Sequence, residues 1–191
     1  MKIRLLTVLL ALSALSLPAR AAEVGGVPIA PTAELTATGP ALTLNGAGVR
    51  KKFFMIVYVG ALYLPAKAAT AREALAQAGP KRMLLHFVYD ELSAQKLVDA
   101  WNEGFAANNS DAELAPLRAR IGQFNTLFAT TRKRDVIALD YLPGEGTRVS
   151  HNGQVKGTIP GEDFNTALLK IWLGDKPVTE ELKKALLGGG A

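Results

Sequence analysis

The side chains that could ligate a metal ion or attack a substrate are few in this sequence, and they are not grouped. The two histidines, His86 and His151, have no spacing that makes a helical or hairpin metal pair, and the chain has no cysteine. No serine stands in a nucleophile-elbow setting. The Gly-Ala-Gly run at 46–48 lacks the third glycine and the following helix of a dinucleotide-binding loop. The sequence therefore gives little support to a hydrolase, a metalloenzyme or a dehydrogenase, and we expect no metal and no cofactor.

The charged runs have simpler explanations than a binding site. The Arg-Lys-Arg run at 132–134 lies in a predicted loop and fits a solvated turn better than an anion site. The acidic pair at 90–91 suits the start of a helix, where negative charge meets the helix dipole. The formal net charge of +5 falls to +2 without residues 1–21, which carry three cations and no carboxylate. We therefore expect no nucleic-acid partner.

The first 21 residues have the parts of a secretory signal peptide. Lys2 and Arg4 precede an almost unbroken apolar run over 5–17, and Ala-Arg-Ala at 19–21 is an A-x-A cleavage site. The apolar run is shorter than the roughly 20 residues that span a bilayer, and no later segment approaches that length. We expect cleavage near Ala21, a single domain over 22–191 with no membrane span, and a periplasmic or secreted location. An uncleaved N-terminal anchor is the alternative.

Apolar, β-branched and aromatic runs between turn residues predict the strands. The run over 53–64 should be the most buried, with a bulge or a close backbone approach at Gly60. A turn is expected before it at 51–52, and the Asn-Gly pair at 152–153 predicts a hairpin. The predicted strands are 24–29, 42–50, 53–64, 82–88, 135–142, 147–151 and 154–159.

Apolar residues spaced by three and four predict the helices, and Thr70, Ser93 and Asp111 are suitable N-caps. The predicted helices are 70–78, 93–109, 111–128, 164–174 and 179–187. Strands and helices are partly segregated along the chain. This order favours an α+β domain in which one sheet, with antiparallel pairing, is covered on one face by helices.

Three segments resemble the chalcone isomerase family, specifically its bacterial, secreted chalcone isomerase-like branch. They are the Gly-Ala-Gly-Val-Arg run at 46–50, the Val-Tyr-Val-Gly-Ala-Leu-Tyr-Leu run at 57–64 and the segment over 164–178. The resemblance implies an open-faced sandwich, in which a large antiparallel sheet packs against a layer of helices. It also implies a ligand cleft between the sheet and the helices.

The same resemblance suggests which residues bind a ligand. In this family the arginine after Gly-x-Gly lies in the cleft, and fatty-acid-binding members hold the ligand carboxylate with a tyrosine of the following strand. These residues would be Arg50 and Tyr58 here. The plant enzymes have threonine at the latter position and use a tyrosine and an asparagine before the next helix. In the aligned segment, 91–100, Leu92 stands where that tyrosine would be and there is no asparagine, so no catalytic residue is assigned.

Arg50 and Tyr58 can share a ligand only if the chain turns between them. Eight residues of straight strand would separate them by roughly 26 Å, at about 3.3 Å per residue. A hairpin turn at 51–52 would shorten that distance.

Three functions are compatible with the sequence. The leading hypothesis is non-catalytic, periplasmic binding of a small lipophilic anion such as a fatty acid. Arg50 could give paired hydrogen bonds, Tyr58 one more, and an apolar cleft would take the tail. The alternatives are an isomerase (an intramolecular lyase) of chalcone-like enones with a different residue set, and an envelope partner or structural protein whose cleft has closed. The oligomeric state is left open.

Overall fold

The computed structural model describes residues 22–189, so the predicted signal peptide and its cleavage site lie outside the described residues. Within the described range, no helix is both long and apolar enough to cross a bilayer.

The strands form one large sheet and two short ribbons in this part of the chain. They are β1 (Ala22–Val24), β2 (Val27–Ile29), β3 (Thr32–Ala33), β4 (Leu42–Lys52), β5 (Met55–Leu64), β6 (Lys81–Phe87), β7 (Glu91–Leu92), β8 (Thr131–Arg132), β9 (Val136–Leu142), β10 (Gly146–His151) and β11 (Gln154–Ile159). The large sheet has seven strands in the order β11-β10-β9-β6-β5-β4-β3, and every neighbouring pair is antiparallel. The ribbons pair β1 with β2 and β7 with β8.

The helices are α1 (Ala71–Ala76), α2 (Ala94–Asn108), α3 (Asp111–Leu114), α4 (Arg118–Asn125), α5 (Glu162–Leu173) and α6 (Glu180–Leu186), with a 3₁₀ turn (Ala115–Leu117) between α3 and α4. The predicted continuous helix over 111–128 is therefore wrong. Ser110, rather than Asp111, is the N-cap of α3. Its hydroxyl accepts a hydrogen bond from the backbone N–H of Glu113, and the Glu113 side chain accepts one from the backbone N–H of Ser110. Pro116 lies in the 3₁₀ turn that separates the two parts.

Two apolar clusters lie on the two faces of the large sheet. Alternate residues of β5 contribute to each cluster: Tyr58 and Leu62 to the first, and Val59 and Tyr63 to the second. The first cluster includes the buried faces of α2 and α5. The second is closed by the chain before β4, including Ile29, where the β1–β2 hairpin replaces the single strand expected over 24–29.

Helix α6 rests directly on β4 and β5, and glycines make this approach possible. A Cβ at Gly46 would lie 2.1 Å from the carbonyl oxygen of Ala185, and one at Gly48 would lie 2.5 Å from the Cβ of the same alanine. Gly60 pairs with Gly48, but the three atoms nearest to a Cβ at Gly60 belong to side chains, the first being Met83 Cε at 2.9 Å, so the expected close backbone approach is not found there. The bulge expected at Gly60 is not found either. The register of β4 against β5 shifts instead near Asn45 and just after Arg50.

The hairpin turn between β4 and β5 lies two residues later than expected. Strand β4 continues through the predicted turn at 51–52, because Lys51 pairs with Ile56 and Lys52 with Met55. The turn itself is formed by the two phenylalanines at 53–54, which the sequence placed in the following strand.

Candidate ligand-binding site

The β4–β5 hairpin brings Arg50 and Tyr58 face to face. The two residues are direct partners in the antiparallel register, next to the shift that follows Arg50. The guanidinium carbon of Arg50 lies 5.4 Å from the centre of the Tyr58 ring, within cation–π range. The turn at 53–54 therefore provides the reversal of the chain that a shared ligand requires.

Tyr58 is held deep in the core. It is 3% exposed, its ring packs edge-on against Phe87, and its hydroxyl accepts a 2.8 Å hydrogen bond from the indole N–H of Trp172 on α5. Burial raises the pKa of Tyr58, and the nearby charge of Arg50 and the Trp172 hydrogen bond only partly oppose that effect. Tyr58 is therefore a neutral phenol at physiological pH. Its oxygen is occupied as an acceptor, and its O–H has no protein acceptor among residues 22–189.

Arg50 is a cation with unused hydrogen-bonding capacity. Its Nε is buried and has no hydrogen-bond partner within the described residues. In the same part of the chain, no carboxylate forms an ion pair with it within 4.0 Å. A buried N–H donor without a partner is uncommon in folded proteins and calls for an explanation. Because Nε is sealed from solvent, a ligand would reach Arg50 through its two terminal nitrogens, which also make no hydrogen bond within residues 22–189.

Those surroundings are a cavity of about 360 Å³ between the end of the β4–β5 hairpin and α2. Its volume falls within the range of small-molecule sites. Apolar side chains line much of it: Met55, Val57, Leu92, Leu97, Ala100, Trp101 and Val178. Arg50 and Tyr58 line it too, so both sequence-predicted binding residues reach the same space.

Sequence reasoning missed several polar residues of this cavity. Tyr89 lines it from the segment after β6, and Lys96, Asp99 and Glu103 line it from α2. These three helical residues follow one another at intervals of three and four, beside the apolar stripe of Leu97 and Trp101. That spacing was the available signal, but it is equally typical of a solvated helix face.

Leu92, aligned with the tyrosine of the plant enzymes, also lines the cavity. An aliphatic side chain thus occupies the wall where that comparison would place a hydroxyl donor. Leu92 can contribute apolar contact to a ligand but no hydrogen bond.

The other residues singled out by type lie away from this cavity. His86 is in β6, and burial lowers its pKa. His151 Nε2 lies 3.1 Å from an Asp135 carboxylate oxygen, and Arg132 forms an exposed ion pair with Glu91 at 3.1 Å. Among residues 22–189, no group of three or more His, Cys, Asp or Glu side chains is arranged to hold a metal ion.

Comparisons with known proteins agree with this architecture. A protein-family model described as chalcone isomerase-like matches residues 21–188. Among solved structures, a fatty-acid binding protein of Arabidopsis thaliana is similar, with a TM-score of 0.60, 17% sequence identity, and coverage of 82% of this chain and 95% of that one. At this identity the likeness shows the fold alone, and it confirms the α+β prediction. No curated protein sequence matches significantly.

Proposed function

Because the chain belongs to the chalcone isomerase-like family, we propose that its cavity binds a lipophilic anion such as a fatty acid and does not transform it. One observation carries the proposal: the Arg50 guanidinium, with no hydrogen-bond or ion-pair partner among the described residues, lines an apolar cavity directly above Tyr58. The fatty-acid binding named for the Arabidopsis relative adds support.

The chemistry of the site suits a carboxylate with a long tail. A guanidinium keeps its charge at any physiological pH and gives charge-assisted hydrogen bonds to carboxylate oxygens. The neutral Tyr58 O–H can add one more, since Trp172 occupies only its acceptor side. The aliphatic and aromatic walls of the cavity would then remove the tail from water.

Isomerisation would require more hydrogen-bond donors in this cavity than ligand binding does. Closing a phenolate onto an enone needs donors near the ketone oxygen, where negative charge develops. Arg50 supplies a cation and Tyr58 one O–H donor, but Leu92 supplies none where the plant enzymes have a tyrosine. We expect no turnover of chalcone by the purified protein. The partner or structural alternative required a closed cleft, and the open cavity of about 360 Å³ disfavours it.

Export to the periplasm, and membership of the bacterial secreted branch, belong to the same proposal. They are supported by the basic start, the apolar run and the A-x-A site of residues 1–21. An intact mass of the protein from a periplasmic extract should correspond to a chain that begins at Ala22. A mass that retains residues 1–21 would contradict cleavage.

The binding proposal is tested with the ligand that co-purifies and with added probes. Native mass spectrometry of the purified protein, followed by organic extraction, should reveal an acyl-chain acid at stoichiometric amounts. Calorimetric titration with laurate and palmitate should show affinity that falls roughly 10- to 100-fold in Arg50→Gln, the loss expected for one or two charge-assisted hydrogen bonds.

Arg72→Gln is the matched control, since Arg72 is an exposed arginine on α1 that does not line the cavity. Equal affinities of wild type, Arg50→Gln and Arg72→Gln would contradict the proposed role of Arg50. An empty protein that binds neither acid would contradict the function itself.

A further inference from the structure

The β4–β5 hairpin ends in an exposed apolar tip. Phe53 is 84% exposed, Phe54 101% and Met55 47%, and the exposed residues Lys51 and Lys52 precede them. We call these five residues the hairpin tip. Elsewhere in residues 22–189, the large hydrophobic side chain with comparable exposure is Val155, at 56%. Two adjacent, largely solvated phenylalanines therefore need a reason that the fold does not supply.

The backbone of the tip strengthens that argument. Phe53 has φ of 56°, in the left-handed region that bulky residues rarely adopt. A two-residue hairpin turn with positive φ normally takes glycine, asparagine or aspartate. The two other such turns within residues 22–189 use Gly25 and Gly26, with φ of 56° and 80°, and Asn152 and Gly153, with φ of 51° and 77°. At the hairpin tip, phenylalanine occupies the strained position instead, so turn formation does not explain its presence.

From these observations we propose that the hairpin tip docks on the surface of an anionic phospholipid bilayer. The aromatic side chains would enter the boundary between headgroups and acyl chains, and Lys51 and Lys52 would contact lipid phosphates. Aromatic and apolar residues beside lysines are the composition of interfacial membrane anchors. Three carboxylates, Glu181, Asp99 and Glu103, line the groove and the cavity that the tip borders, and four cations, Lys51, Lys52, Arg50 and Lys96, outnumber them there.

A bilayer fits the tip better than a folded protein partner. A stable protein interface buries about 800 Å² on each side and uses some 20 residues. The hairpin tip offers three apolar side chains at the end of a narrow ribbon, which suit insertion into a soft medium. The experiment must therefore distinguish docking on a bilayer from contact with a second copy of this chain.

The tip also forms the rim of the cavity, since Lys52, Phe53 and Met55 line it. A docked tip would bring the cavity mouth against the lipid, so an acyl chain could enter with little exposure to water. This consequence rests on the proposed function. Docking itself does not rest on the proposed function, and it is tested without any ligand.

Phe54→Trp places a fluorescent reporter on the tip. The native tryptophans, Trp101 and Trp172, are 3% and 0% exposed, so their emission should change little on docking. Vesicles of equal parts phosphatidylcholine and phosphatidylglycerol should shift the emission of Phe54→Trp to shorter wavelength, and brominated lipids should quench it. Val155→Trp, the matched control on the β10–β11 hairpin, should show neither change.

Equal shifts in Phe54→Trp and Val155→Trp, or no shift in either, would overturn the proposal. A shift that appears without vesicles and grows with protein concentration would do the same, because the tip would then contact a second copy. The emission of Phe54→Trp reports on the hairpin tip alone. Any vesicle binding through residues 1–21 therefore does not affect its comparison with Val155→Trp.

The vesicle partition coefficient gives the second readout. It should fall about tenfold or more in Phe54→Ser, through lost apolar burial, and about fivefold in Lys51→Gln, with weaker binding at high salt. Neither residue lines the cavity of about 360 Å³, so calorimetric affinity for laurate should be unchanged in both variants. Lost vesicle binding with intact laurate affinity in Phe54→Ser would support docking, and unchanged partition would overturn it. Failure of docking and failure of the proposed function thus give different results.

Discussion

The indole N–H of Trp172 donates a 2.8 Å hydrogen bond to the hydroxyl of Tyr58, and this bond joins α5 to strand β5. Both side chains are buried. The bond holds the Tyr58 ring in the position where Arg50 lies over it, so the candidate site depends on a contact between residues 114 positions apart.

Tyr58→Phe should lower the free energy of unfolding by about 1–3 kcal/mol. The substitution leaves the fully buried Trp172 N–H without an acceptor, and the desolvation of that group is no longer compensated. Chemical denaturation at neutral pH measures the change. The same variant should bind palmitate more weakly, since the ligand loses one donor.

Tyr141→Phe is the control for that change. Tyr141 is 6% exposed, and its hydroxyl makes no hydrogen bond with other residues of the described range. Removing this hydroxyl should change the free energy of unfolding by less than about 0.5 kcal/mol. Similar losses in the two variants would mean that the Trp172 hydrogen bond is not the cause.

Much of the fold could be predicted because it follows from local patterns. The apolar spacing of α2 and α5 and the Asn-Gly turn at 152–153 led to elements that the structure contains. The turn between β4 and β5 could not be placed, because Phe53 and Phe54 have strand propensity and no turn residue marks the reversal. Their turn is set by the pairing of whole strands.

The site was less accessible to sequence reasoning than the fold. Arg50 and Tyr58 were identified through a family resemblance, and their role as ligand-binding residues stays a prediction. Trp172 was expected only as a core residue of its helix, because nothing local links it to Tyr58. Tyr89 and Lys96 reach the cavity through the tertiary placement of β6 and α2, which residue spacing does not encode.

Gly46→Ala should destabilise the protein by about 1–3 kcal/mol, because a methyl group there meets backbone. Its Cβ would lie 2.1 Å from the Ala185 carbonyl oxygen and 2.7 Å from that of Leu186, so α6 would have to move away from β4. Thermal unfolding measures the effect. Gly122→Ala on α4 is the control, with no atom within 4 Å of the added Cβ, and it should be neutral or slightly stabilising. Equal effects would contradict close packing of α6.

Acidification from about pH 6.5 to 5 should reduce stability through His86. Burial lowers its pKa in the folded protein below the ordinary value of 6.5. Below pH 6.5 the unfolded chain therefore takes up a proton that the folded chain does not bind, and the free energy of unfolding falls as the pH falls. Above pH 6.5 the imidazole is neutral in both states, so His86 does not reduce the free energy of unfolding there.

His86→Gln should make the free energy of unfolding less dependent on pH in this interval. Denaturant titrations at several pH values measure the slope. Carboxylates whose pKa is lowered, such as Glu113 at about 2, lose their contribution only below about pH 4.5, outside the interval. An unchanged slope in His86→Gln would assign the acid sensitivity to other groups.

Ala100→Leu should change which acyl chains are accepted without altering the charge of the site. Ala100 lines the cavity from α2, so three added carbon atoms remove space next to the apolar wall. Calorimetry should show a larger loss of affinity for palmitate than for laurate, while Arg50→Gln should weaken both acids similarly. Ala106→Leu is the control, because Ala106 is exposed on the same helix and does not line the cavity. Parallel losses for both acids in Ala100→Leu would mean that the tail lies elsewhere.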